Sequence, residues 1–182
     1  MPDPEFFQEI KDQYSRLLDN RNNLDSKANN IIAMAGTIVT LLMGFGTFIL
    51  KSIKLEYAFL DGAIFFLVLG ILLMIAGIIF SLLTYRIQPK TFPIGHEAFY
   101  TDGKYDIVKV DSFRISDHKV FYKRMIEEYV ISIKENALIN SSKSNLIKVS
   151  QRLFLAGIFT IPIITAFLIH AMLTSNLISG SI

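Results

Sequence analysis

Cysteine does not occur in the 182 residues, which excludes disulfides, thiolate metal sites and cysteine nucleophiles. Asp, Glu, Lys and Arg are missing from three long tracts: Ile31 to Leu50, Gly62 to Tyr85, and Leu153 to the C-terminus. Each tract reaches the roughly 20 residues that a helix needs to cross about 30 Å of hydrocarbon. With 52% apolar and 19% charged residues and a mean hydropathy of +0.44, the chain is too apolar for an ordinary soluble domain. The N-terminus lacks the basic start of a secretory signal and carries Asp3, Glu5 and Glu9 instead, so no cleavage is expected. Ala33-Met34-Ala35 sits at the beginning of the first tract, where it makes a poor processing site. A formal net charge of +2 gives no argument for a nucleic-acid partner.

Basic residues are unevenly spread. Residues 1–30 hold four Lys or Arg, the loop after the first tract two, residues 86–152 twelve, and the tail none. Lys and Arg are retained on the cytoplasmic side of a membrane, so the N-terminus and 86–152 are expected in the cytoplasm, with the C-terminus outside. Spans one and three then run in the same direction.

The elements follow from periodicity. Asp3 is a natural N-cap and Pro4 suits the first helical position. Phe7, Ile10, Tyr14, Leu17, Arg21, Leu24, Ala28 and Ile31 alternate by three and four, a heptad seam that predicts one helix from Pro4 to Leu50. A second long helix is expected from Ser116 or Asp117, with neither Gly nor Pro before Gly157 and Pro162. Its seam reads Ile126, Val130, Ile133, Ala137, then turns polar at Asn140, Ser144, Ile147, Gln151. Between the spans and this helix, Pro89, Pro93, Gly95 and Gly103 break helical periodicity. Thr101-Asp102-Gly103-Lys104 is a type I′ turn signal between His96–Tyr100 and Tyr105–Val110, predicting a small hairpin. That insert reads either as a surface loop capping the stalks or as a sensing or docking element.

The fold class is therefore an all-α membrane protein with three transmembrane helices and a hairpin-containing insert. The first and third spans extend into parallel cytosolic stalks. The organisation is 1–30 stalk, 31–85 spans one and two, 86–116 insert, 117–152 stalk, 153–174 span three and 175–182 outer tail. Stalks rising to the same face bring Arg21, Asp25 and Lys27 to the level of Asn140, Lys143 and Lys148, with Asp25 in reach of either lysine.

Two small-residue stripes mark helix contacts within or between protomers: Gly36, Thr40 and Gly44 on span one, and Ala63, Gly70, Gly77 and Thr84 on span two. Asp61 and His170, at similar depth near the outer face, read either as an outer gate or as interfacial side chains. Pro162 frees the carbonyl of Ile158 and predicts a kink or hinge in span three, which Thr160 and Thr165 are placed to stabilise. Catalysis is not expected. His96-Glu97 has Tyr100 where a zinc-protease motif needs His, no phosphate-binding or nucleophile-elbow glycine pattern occurs, and the acidic residues of 102–117 lack calcium-loop spacing. Neither a metal nor a cofactor is expected, and the Asn140-Ser141-Ser142 sequon falls on the cytosolic side.

Asp25-Ser26-Lys27-Ala28 before span one, and Glu135-Asn-Ala-Leu-Ile-Asn-Ser-Ser-Lys143-Ser-Asn-Leu146 running to Gln151, Arg152 and Leu155-Ala156-Gly157, resemble the membrane effectors of Pycsar antiphage systems, PycTM, and the related SLATT group. The resemblance implies a prokaryotic defence effector whose cytosolic part responds to a cyclic nucleotide made by a partner cyclase, and whose spans assemble as a homo-oligomer and impair the bilayer. The matching positions are Asp25, Lys27, Asn136, Lys143 and Arg152. The 86–115 insert departs from recognised cyclic-nucleotide modules, and Lys104, Lys109 and Arg114 read as solvated charge or as anion contacts. Two other readings are a constitutive small channel or transport accessory, and a non-conducting scaffold. The shared premise is directly testable: accessibility tags at residues 2 and 110 should report the same compartment, and opposite compartments would overturn the topology.

Overall fold

The computed structural model describes residues 4–52, 57–87, 100–101, 104–105 and 118–179. Three helices account for nearly all of them: α1 (Pro4–Ser52), α2 (Tyr57–Arg86) and α3 (His118–Ser179). α1 begins on the proline that lacks an amide hydrogen and therefore leaves one fewer unpaired donor at the helix start. α3 continues through Gly157 and Pro162 to Ser179, past the expected end of span three at 174. All three helices are long and apolar enough to cross a membrane, and in hydrocarbon only a structure that pairs its own backbone groups does so.

The hairpin insert is not seen as a folded element. Tyr100–Thr101 (β1) and Lys104–Tyr105 (β2) pair antiparallel over two residues each, and two ladder pairs are far too few to hold a hairpin in water. The rest of the expected insert, with its turn at Asp102-Gly103 and the flanks His96–Phe99 and Asp106–Val110, lies outside the described residues.

The chain divides into two compact units, Met1–Leu24 with Ile87–Ser144, and Asp25–Arg86 with Asn145–Ile182. In the first, the α1 seam is as the spacing predicts: Ile10, Tyr14 and Arg21 are buried, and Phe7 and Leu17 are half-buried. Over residues 125–137 the buried row of α3 lies about one residue from the expected one: Val130 is 51% exposed and Ala137 is exposed, whereas Met125, Ser132 and Asn136 are buried, with Ile126 and Ile133 half-buried. From Asn140 through Ile147 the expected row is buried or half-buried. The reason for the offset is steric fit. The ring of Tyr129 stands edge-on to both Phe7 (centroids 5.7 Å apart) and Tyr14 (5.5 Å), and each such pair contributes roughly 0.5–1.5 kcal/mol beyond area burial. That ring selects the face of α3 that turns inward.

The second unit holds the apolar parts of all three helices. Its small residues form matched rows. On α2, Ala63, Gly70, Met74, Gly77, Ser81 and Thr84 are buried; on α3, Ser150, Phe154, Gly157, Thr160, Ile164 and Leu168 are. A Cβ on Gly70 would collide with Thr160 Oγ1, one on Gly157 would lie 2.7 Å from Met74 Cγ, and one on Gly77 would lie 3.3 Å from the Ser150 carbonyl oxygen. Ala63, Ile164 and Leu168 continue the contact, flanked by Phe66 stacked on Phe167 at 5.8 Å. The span-one stripe behaves differently: a Cβ on Gly36 or Gly44 meets nothing within 4 Å, and the span's close approach falls at Gly46, against Leu67. Leu41 (67%) and Phe159 (69%) lie among many outward-facing apolar side chains, a surface suited to lipid rather than water. Gly77→Leu should therefore destabilise the α2–α3 contact by about 1–3 kcal/mol, while Gly44→Ala should be neutral or mildly stabilising. Thermal unfolding in detergent, followed by helical circular dichroism, checks the pair.

Candidate functional site

The polar residues singled out in the sequence divide by burial. In the first unit Arg21 (5% exposed), Asn136 (1%), Asn140 and Lys143 (2%) are buried. Asp25 is half-buried, and Lys27, Lys148 and Arg152 are exposed. The helix pair of the first unit thus changes character along its length, from the aromatic cluster of Phe7, Tyr14 and Tyr129 to a row of amides and cations.

Each polar side chain is placed by the helix that carries it. Asn140 Nδ2 donates 2.8 Å to the Leu17 carbonyl oxygen on α1. That carbonyl is the one that the amide of Arg21 would use in a regular α-helix, so Asn140 adds a second donor beside the Arg21 turn. Asn136 Nδ2 donates 2.8 Å to the Ser132 carbonyl one turn back on its own helix, a local bond that keeps the amide folded against α3. Arg21 Nη1 and Asn140 Oδ1 are buried without a hydrogen-bond partner among the described residues. A buried polar group left in this condition costs about 1–3 kcal/mol, and more for a charged one. Arg21 also acts on its surroundings: burial pushes the Tyr14 phenol above its ordinary value, Tyr129 adds to the rise, and the guanidinium opposes it. The site therefore offers one guanidinium donor, Arg21 Nη1, and one amide acceptor, Asn140 Oδ1, that no described residue engages.

The remaining candidates lie in the second unit. Ser81 and Ser150 share a 2.7 Å hydrogen bond, and Ser150 Oγ also lies 2.7 Å from the Gly77 carbonyl oxygen. This pair was not singled out from sequence; the serines at 81 and 150 carry a signal only once Gly77 is known to lie against the Ser150 backbone. Tyr85 donates 3.1 Å to the Asp25 carbonyl oxygen, tying the end of α2 to α1. Pro162 is exposed within the continuous α3. Thr160 donates to the Gly157 carbonyl and Thr165 to that of Ile161, so neither hydroxyl is directed at the freed Ile158 carbonyl. Asp61 and His170 are both exposed, and no hydrogen bond joins them. Among the described residues, no group of three or more His, Asp or Glu could hold a metal ion.

Three long apolar helices, small-residue packing between two of them and a buried polar row without catalytic geometry define an all-helical membrane protein. The chain belongs to the Pycsar effector family, PycTM, whose effector protein domain matches residues 9–170. It is a transmembrane effector domain of antiphage defence and not a known enzyme family. No match is found among curated proteins or solved structures.

The buried Arg21 Nη1, without a hydrogen-bond partner among the described residues, makes a stability prediction. Arg21→Met keeps the apolar stem and removes the unsatisfied donor, so it should stabilise the protein by about 1–3 kcal/mol, read as a raised unfolding midpoint in detergent. A lowered midpoint would mean that the guanidinium is satisfied in solution.

Proposed function

We propose that this protein is a signal-responsive membrane effector that oligomerises and impairs membrane integrity when a nucleotide or partner engages its cytosolic helix pair. The reading places the N-terminus and 86–152 in the cytoplasm, where such a cue is available, and the C-terminus outside. The observation that carries it is the buried Arg21, whose Nη1 has no hydrogen-bond partner among the described residues, near Asn140 in a pair that also buries Lys143. A resting state that leaves a cationic donor unused sits above its best attainable energy. An anionic ligand, or a repacking that gives the guanidinium a partner, has a differential affinity with which to shift the equilibrium. The phosphate of a cyclic nucleotide has the matching charge and acceptors.

Assembly has its own support. A Cβ on Gly36 or Gly44 of span one would meet no described residue within 4 Å, and small residues in lipid favour close helix approach. One protomer with three spans cannot enclose much of a pore, so membrane damage requires several copies. A constitutive channel or a passive scaffold lacks a comparable observation in its favour.

Dye-loaded liposomes bearing the full chain test the reading. Leakage is expected only when an added cyclic nucleotide is present, and Arg21→Met or Lys143→Ala should reduce that response at least tenfold without lowering incorporation. Leakage without any addition would favour a constitutive channel, and none under any condition a scaffold.

A further inference from the structure

In the second unit a groove of about 500 Å³ lies between α1 and α3, and neither Arg21 nor Asn140 is among its described lining residues. Its polar lining is Lys27, Asn30 and Gln151. All three are exposed, and none makes a side-chain hydrogen bond or ion pair with another described residue. The rest of the lining is apolar: Ile31 and Phe154 are buried, whereas Met34 (55%) and Leu155 (53%) stand open. On both helices the polar lining residues precede the apolar ones in the chain, so the groove has a cationic, amide-bearing end and an apolar end. Lys27 and Met34 are separated by about 10 Å of helical rise. No acidic residue is among the described residues that line the groove.

Neither half of this lining is satisfied by a simple occupant. A free anion would meet Lys27 but leave Met34 and Leu155 uncovered, and a bare hydrocarbon chain would do the reverse. An amphiphile with an anionic head meets both. The level also fits, because the uncharged tract of span one begins at Ile31, where a crossing helix passes from the headgroups into hydrocarbon. Basic pockets between membrane helices at that depth suit anionic headgroups. We infer that this groove binds an anionic glycerophospholipid, its phosphodiester held by Lys27, Asn30 and Gln151 and one acyl chain lying along Met34 and Leu155. The inference needs the membrane location but not the nucleotide cue.

Native mass spectrometry of the full chain in detergent, titrated with dioleoyl phosphatidylglycerol, dioleoyl phosphatidylcholine or inorganic phosphate, tests it without any reference to leakage. Phosphatidylglycerol should give a saturable complex of one lipid per chain, at least fivefold tighter than phosphatidylcholine and not displaced by phosphate. Lys27→Gln should weaken it about fivefold, the worth of one cation near an anionic headgroup, while Lys11→Gln, which removes an exposed cation outside the groove, should leave it unchanged. Equal affinity for the two lipids, the same effect from both substitutions, or displacement by phosphate would each overturn the proposal.

Discussion

Inside a bilayer the hydrophobic effect no longer draws helices together, because the lipid tails are as apolar as the side chains they would replace. What remains is close packing and hydrogen bonding, and the second unit uses both along one line. Gly70 and Gly157 leave no room for a Cβ and Gly77 only a tight fit, which lets the α2 and α3 backbones approach. The same closeness puts Ser150 in reach of Ser81 and of the Gly77 carbonyl oxygen. Each serine hydroxyl is thereby satisfied without water, as hydrocarbon requires. Removing the glycines would break the hydrogen bonds as well as the packing, since both depend on one interhelical distance.

The first unit solves the opposite problem. Its residues carry enough charge to live in water, yet it buries Arg21, Asn136, Asn140 and Lys143 along one helix pair. The aromatic cluster around Tyr129 sets the packing register, and the polar row follows from that register at a cost in unsatisfied groups. The pair is thus packed by aromatic contacts at one end and carries buried polar groups at the other.

The helices and two of their packing rows were legible in the sequence; the inward face of α3 was not. The α1 seam from Phe7 to Ile31 was readable because its apolar residues recur without competitors, so only one face qualifies. The heptad row Ala63, Gly70, Gly77, Thr84 was readable for the same reason. On α3 two adjacent faces compete. Ile126, Val130, Ile133 and Ala137 are the more apolar, but Met125, Ser132 and Asn136 are the ones that turn inward. Hydropathy ranked the rows by solvent preference, whereas the packing ranked them by whether Tyr129 could seat between Phe7 and Tyr14.

Hydropathy, length and the spacing of Gly and Pro by themselves determined that the chain forms three long apolar helices, because those properties act within about 20 residues and need no partner. They also marked Arg21 and Asn140 as polar residues on otherwise apolar helical seams. Only the tertiary structure decided that Gly70 and Gly157 face each other while Gly36 and Gly44 face open space, and that Arg21 is buried while Lys27 is not. Facing is a property of two surfaces at once, and a small residue or a charge acquires its meaning only from what the other helix places opposite it.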